Sequence, residues 1–187
     1  LLNVKNNIDN LRSWMIKENI DAIIIPHQDE YLSEYLPPQN ERLHWATGFT
    51  GSAGVAIVGQ EKASIFVDGR YTVQVQEQVD KNIFEILHLT ENPYLGWIAD
   101  NFSKDSVIAY DPKLNTPIWL DNVSKKIDGY NLISLKQNPI DSLWENRPSA
   151  KIDKALLLSE NYTGESSQSK RVRIANTIKS SGNDSAF

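Results

Sequence analysis

Ala22-Ile23-Ile24-Ile25-Pro26 is the stretch that decides the fold. A β-branched run with no polar alternation is a strand buried on both faces, and such strands sit in sheets covered by helices on each side. Just upstream, Val4, Ile8, Leu11 and Met15 recur on one helical stripe, with Asn3 placed as N-cap. Downstream, residues 27–44 are polar and contain Pro37-Pro38, which reads as a long connection. Gly48, Gly51 and Gly54 then mark a turn carrying positive-φ residues, ahead of strands at Val55–Val58 and Ala63–Val67 joined by a Gly59–Lys62 hairpin.

Beyond the hairpin the pattern alternates in kind. Helices are expected over Tyr71–Val79, Pro93–Phe102 and Pro117–Ile127, with a short one opening at Asn138-Pro139. Strands are expected over Phe84–Leu89, Ser106–Tyr110 and Asn131–Leu135. Strands alternating with helices predict an α/β domain: a mixed, mostly parallel sheet flanked by helices, the hairpin being its antiparallel part. The charged, Pro-containing stretch Glu145–Lys154 is the natural boundary, so residues 1–148 form one domain. Residues 149–187 read as a linker followed by the beginning of a second domain. Val172, Ile174, Ala175 and Ile178 mark a helix, Gly182 its end, and Asp184–Phe187 a strand opening. A weak echo links Ile16–Ala22 to Ile178–Ala186, each pairing a helix end with a strand start. That ending, and a first residue that is Leu, give the expectation of a piece of a longer protein.

The chain has 187 residues and no cysteine, which removes disulfides, thiolate nucleophiles and Cys-type zinc sites. A formal charge of −5 leaves no basic excess to displace counterions from nucleic acid, so no nucleic-acid partner is expected. The longest apolar run is too short to span a bilayer and no signal peptide opens the chain, so no membrane partner and a cytoplasmic location are expected. His27, His44 and His88 show no metal-ligand spacing: His88 reads as a half-buried core residue, His27 and His44 as polar loop residues. Asp29, Glu30, Glu34 and Glu41 read as a solvated acidic loop. No G-x-S-x-G elbow, P-loop or G-x-G-x-x-G is present. No catalytic residue and no metal ligand is therefore assigned within the chain.

Asp68-Gly69-Arg70-Tyr71 carries more information. It leaves a hydrophobic strand and opens a helix, with Asp68 as N-cap and Gly69 free to take an unusual backbone angle. Arg70 sits in the first helical turn, where the macrodipole prefers anions. Two readings stand: a fork-shaped donor gripping a carboxylate, or a structural pair with a nearby acid.

Glu41-Arg42-Leu43-His44-Trp45-Ala46-Thr47-Gly48-Phe49-Thr50-Gly51-Ser52-Ala53-Gly54, followed by Phe66-Val67-Asp68-Gly69-Arg70-Tyr71, strongly resembles the amino-terminal domain of the aminopeptidase P (Xaa-Pro aminopeptidase) family. Ser33-Glu34-Tyr35, Ile140–Trp144, Arg147-Pro148 and Tyr162-Thr163-Gly164 fit the same pattern, so the resemblance covers essentially the whole chain. It implies a creatinase/prolidase N-terminal-domain fold, with residues after 148 opening a second, related domain of the three-domain type. It implies a full-length metallo-aminopeptidase that removes the residue preceding proline from peptides. Two metal ions, manganese by resemblance, would be held by Asp, His and Glu of a C-terminal domain not found in these residues. This piece alone should then be inactive and need no cofactor. The resemblance also implies that Arg70 binds peptide substrate and that the full-length protein forms a homodimer. Tyr31 stands where relatives often carry His; a phenol can donate a hydrogen bond but does not become cationic near neutral pH. Prolidase and creatinase share the fold and are a second reading. A catalytically dead protein-binding module, as in a histone chaperone subunit, is a third.

Overall fold

The computed structural model describes residues 3–185. The chain divides into two compact units, Leu1–Ala150 and Lys151–Phe187. The first unit opens with helix α1 (Val4–Lys17), capped by the Asn3 side chain accepting from the Asn6 N–H. Strand β1 (Ala22–Pro26) follows, then helix α2 (Arg42–Thr47), the hairpin β2 (Val55–Gly59) and β3 (Ala63–Val67), and helix α3 (Thr72–Gln78). The remainder alternates: β4 (Glu85–His88), α4 (Tyr94–Asn101), β5 (Val107–Tyr110), α5 (Pro117–Lys126), β6 (Asn131–Ser134) and α6 (Pro139–Leu143).

The six strands form one sheet in the order β4-β3-β2-β1-β5-β6. β2 runs antiparallel to both β1 and β3, and every other pairing is parallel. Five strands therefore point the same way and end on one edge of the sheet. The expected mixed, mostly parallel sheet flanked by helices is what forms.

Alternation along each strand divides the core between the two faces. Ile23, Ile25, Ala56, Val58 and Ile65 pack with Ile8, Leu11 and Met15 of α1, with Leu43 and Trp45 of α2 and with Val75 of α3. Ala22, Ile24, Ile57, Phe66 and Ile108 pack on the other face with Trp97 and Ile98 of α4 and Trp119 of α5. The indole N–H of Trp97 donates to Glu85 Oε2 at 2.7 Å and that of Trp119 to the Tyr94 hydroxyl at 2.8 Å, so neither ring buries an unpaired donor.

Two expectations need correction here. The connection expected over 27–44 ends early, because α2 begins at Arg42 and a 3-10 turn covers Pro38–Asn40. The glycines of the 48–54 turn also differ in what they do. Gly48 has φ +81°, whereas Gly51 and Gly54 are not at positive φ. They are small because there is no room: a Cβ at position 51 would overlap the Phe49 ring and lie 2.8 Å from Tyr71 Cδ1, and one at 54 would lie 3.2 Å from the Phe66 carbonyl oxygen.

The second unit contains α7 (Glu160–Thr163), ended by Gly164 at φ +78°, and α8 (Ser167–Ser180), whose N-cap Ser166 accepts from the Ser169 N–H. Gly182, at φ +73°, follows α8 as expected of a helix-ending glycine. Of the strand expected over 184–187, Asp184 and Ser185 are not in a strand, and Ala186 and Phe187 lie outside the described residues.

Candidate functional site

The two sequence blocks that looked separate along the chain form one surface. β3 ends at Val67, and Asp68 caps a 3-10 turn over Gly69–Tyr71 by accepting the Arg70 N–H at 2.9 Å. The Arg70 guanidinium folds back on the same carboxylate, with Nε 3.0 Å from Oδ1 and Nη2 2.7 Å from Oδ2. Its carbon also lies 5.3 Å from the centroid of the Tyr71 ring. The Arg70 side chain nevertheless remains 68% exposed. Of the two readings of this residue, the local acid is present and the guanidinium faces solvent.

The Tyr71 ring meets Phe49 edge-on at 5.5 Å, and its hydroxyl pairs with Ser52 Oγ at 2.5 Å. The backbone N–H of Thr50 donates to Gln78 Oε1 at 2.9 Å, while Gln74 and Gln78 donate to Thr50 Oγ1. The glycine turn is thereby tied to the helix that Asp68 and Arg70 lead into.

Electrostatics follow the contacts. The hydrogen bond from Arg70 outweighs partial burial and holds the Asp68 carboxyl below the usual carboxylate range. The same pairing raises the Arg70 pKa, so the guanidinium stays charged. The Ser52 hydrogen bond lowers the Tyr71 phenol.

Gly69 is not at positive φ, contrary to the expectation from its place in the motif. A Cβ there would lie 3.6 Å from His88 Nε2. His88 is half-buried as expected, but it is not in the core: the parallel register Val67↔His88 sets it beside Asp68 at the strand ends. Its Nδ1 accepts the Thr90 N–H at 3.3 Å. His88 and Ser52 are site neighbours that sequence reasoning missed. The only cue for His88 was that its strand would pair in parallel with β3.

The loop after β1 is not simply solvated. Asp29 is fully buried; its Oδ1 accepts the N–H groups of Tyr31 and Ser33, and Oδ2 has no partner. Burial acts to raise its pKa, and the hydrogen bonds from Ser33 and Tyr31 outweigh it, so the net shift is downward from 3.8. A depressed carboxylate contributes stability above its unfolded pKa and loses it as pH falls through the folded one. Below about pH 4, the urea midpoint of the wild-type chain is therefore expected to fall faster than that of Asp29→Asn. Tyr31, by contrast, is 79% exposed. Among the described residues, no three His, Asp or Glu side chains gather as a metal ion requires.

A surface assembled from these two blocks can be compared with known proteins. The family model for the creatinase/prolidase N-terminal domain matches residues 7–143. The chain belongs to that family. As a creatinase/prolidase N-terminal domain it is 31% identical over 184 residues to a protein of Aspergillus flavus named "Probable Xaa-Pro aminopeptidase P", covering 96% of this chain and 28% of the relative. It is also 31% identical over 173 residues to human Xaa-Pro aminopeptidase 2, covering 91% of this chain and 26% of the relative. The chain thus spans little more than a quarter of the curated relatives it matches.

The solved structures agree in fold. The X-prolyl aminopeptidase of Caenorhabditis elegans, a cytosolic enzyme with a di-nuclear active site, superposes with a TM-score of 0.82 at 24% identity, covering 96% of this chain and 32% of that one. The N-terminal domain of the cytoplasmic peptidase PepQ from Mycobacterium tuberculosis gives 0.55 at 20% identity, covering 74% and 98%. No helix among the described residues is long and apolar enough to cross a membrane.

Proposed function

We propose that this creatinase/prolidase N-terminal domain is the non-catalytic, substrate-binding part of a Xaa-Pro aminopeptidase, and that Arg70 is its contact with peptide substrate. The observation that carries the reading is the state of Arg70. It is charged, largely exposed, and held by Asp68 over Tyr71 at the edge where β3 ends. A guanidinium fixed at one face and open at the other can offer its free N–H groups to a peptide carboxylate or carbonyl.

In this reading the reaction, removal of an N-terminal residue that precedes proline, belongs to a domain outside these 187 residues. So do two metal ions, taken as manganese, because no described residues of this chain fit a metal. The 187-residue chain alone is then inactive, while the full-length protein works as a cytoplasmic homodimer. Residues from 149 onward open a second domain related to the first.

The test uses the full-length protein and a Xaa-Pro tripeptide with manganese added. Arg70→Ala is expected to raise KM about 10- to 100-fold, the range for a lost charge-assisted hydrogen bond, with kcat little changed. Arg70→Lys should recover part of the loss. The isolated 187-residue chain should show no turnover. An unaltered KM in a folded Arg70→Ala protein would remove Arg70 from substrate binding. A wild-type protein without manganese-dependent turnover would point to the protein-binding module instead.

A further inference from the structure

A second feature sits on the same edge of the sheet, away from Arg70. From β1 the chain turns toward β2 on one side, whereas from β5 it turns toward β6 on the other. The border between β1 and β5 is thus the topological switch point of the sheet. Loops leaving in opposite directions open a crevice beyond the strands' carboxyl ends, and α/β proteins bind small ligands in that crevice.

Here the crevice is a cleft of about 460 Å³, within the range of small-molecule sites. The loop after β1 contributes Glu30, the start of α2 contributes Arg42, and the loop after β5 contributes Asp111, Lys113 and Leu114. Beyond β6, Lys136 and Arg147 complete the cationic part of the wall, with Asp141 between the arginines. Leu114, buried, backs the cleft on its apolar side.

The charges of the cleft are not mutually satisfied. Asp141 is taken by Arg42 and Arg147, and Asp111 accepts the backbone N–H of Lys113 at 2.9 Å and the Asn138 amide at 3.0 Å. Glu30 is exposed. The ammonium groups of Lys113 and Lys136 make no ion pair or hydrogen bond among the described residues. Arg147 is anchored through Nε to the Gln39 carbonyl and through Nη1 to Asp141, and its Nη2 makes no hydrogen bond among the described residues. Arg42 lies behind them, 5% exposed, with Nη1 unpartnered. In a chain of net charge −5, four cations lining one cleft against three carboxylates, two of them already engaged, is a local reversal of sign.

We propose that this switch-point cleft binds a small phosphate-bearing molecule, whose oxyanion is met by Lys113, Lys136 and Arg147. Two ammoniums and a guanidinium arriving from separate loops suit a tetrahedral group with several charged oxygens. A single planar carboxylate would be served by one fork. The site does not depend on the peptidase reading, since it shares no residue with the Arg70 surface.

The test is an NMR titration of the 187-residue chain with inorganic phosphate at constant ionic strength, with acetate as the comparison. Phosphate is expected to give saturable shifts at the backbone amides of Lys113, Lys136 and Gln137. The double variant Lys113→Ala/Lys136→Ala, whose two side chains are exposed and so leave the fold intact, should weaken binding at least tenfold. Lys81→Ala, on the other half of the sheet, should bind as the wild type does. Linear, non-saturating shifts would overturn the proposal. So would unchanged affinity in the double variant, or acetate binding as tightly as phosphate.

Discussion

Replacing Asp141 with alanine is expected to lower the unfolding free energy of the first unit by about 2–3 kcal/mol, below the cost for a fully buried ion pair because Asp141 is 31% exposed and only Arg42 is buried. Asp141 accepts two hydrogen bonds from Arg42, from Nε at 2.7 Å and Nη2 at 3.0 Å, and lies 3.0 Å from Arg147 Nη1. Arg42 is almost wholly buried and already has one nitrogen without a partner, so the variant would strand a full charge in the interior. The pair also joins positions 99 residues apart, α2 on one side and α6 on the other. Urea unfolding checks the magnitude. A double variant Arg42→Met/Asp141→Leu should recover most of the loss, because it removes the charge together with its partner. If Asp141→Ala unfolds at the wild-type midpoint, Arg42 is solvated and the pair is ornamental.

Phe49→Ala is the second large effect, about 3–4 kcal/mol of stability from transfer and cavity terms. Phe49 is 1% exposed and forms part of the face that α1 and α2 cover. Its ring is also what Tyr71 leans on, and Tyr71 in turn lies under Arg70 and pairs with Ser52. The variant should therefore loosen the Ser52–Tyr71 contact, and the Tyr71 phenol should titrate higher, toward its ordinary value of about 10. Unfolding by urea reads the first effect, and spectroscopic titration of Tyr71 the second. A stability loss with an unmoved phenol would mean that the core and the Arg70 surface are not coupled.

Much of this fold could be read locally. The unbroken Ala22–Pro26 run, the stripe from Val4 to Met15 and the Gly59–Lys62 hairpin each carry their own period or turn chemistry, and each forms as expected. Helix α2 does not announce itself. Arg42, Leu43, Trp45, Ala46 and Thr47 are all buried, so the segment has no polar face to set a helical period. A charged first residue there makes sense only through Asp141, which lies far along the chain.

The candidate site divides in the same manner. Asp68 as a cap was legible from residue type and position, and the structure places it so. That His88 stands beside it depends on strand register, which no local pattern encodes. Gly51 and Gly54 look like turn glycines along the chain, yet their smallness answers to the Phe49 ring and the Phe66 carbonyl, both tertiary neighbours. The switch-point cleft is the extreme case. Lys113 and Lys136 look like ordinary surface charges until the strand order brings their loops to one crevice.

With five strands aligned and one reversed, the domain has a working end and a blunt end. The long excursions after β1 and β3, together with the cationic cleft, emerge where the aligned strands finish. Among the described residues, the opposite end of the sheet carries brief connections such as Gly59–Lys62, whose first residue sits opposite Ala22 where β1 begins. That tight bend is a natural handle: a dye, an affinity label or a surface tether attached there would leave both charged sites facing outward and free.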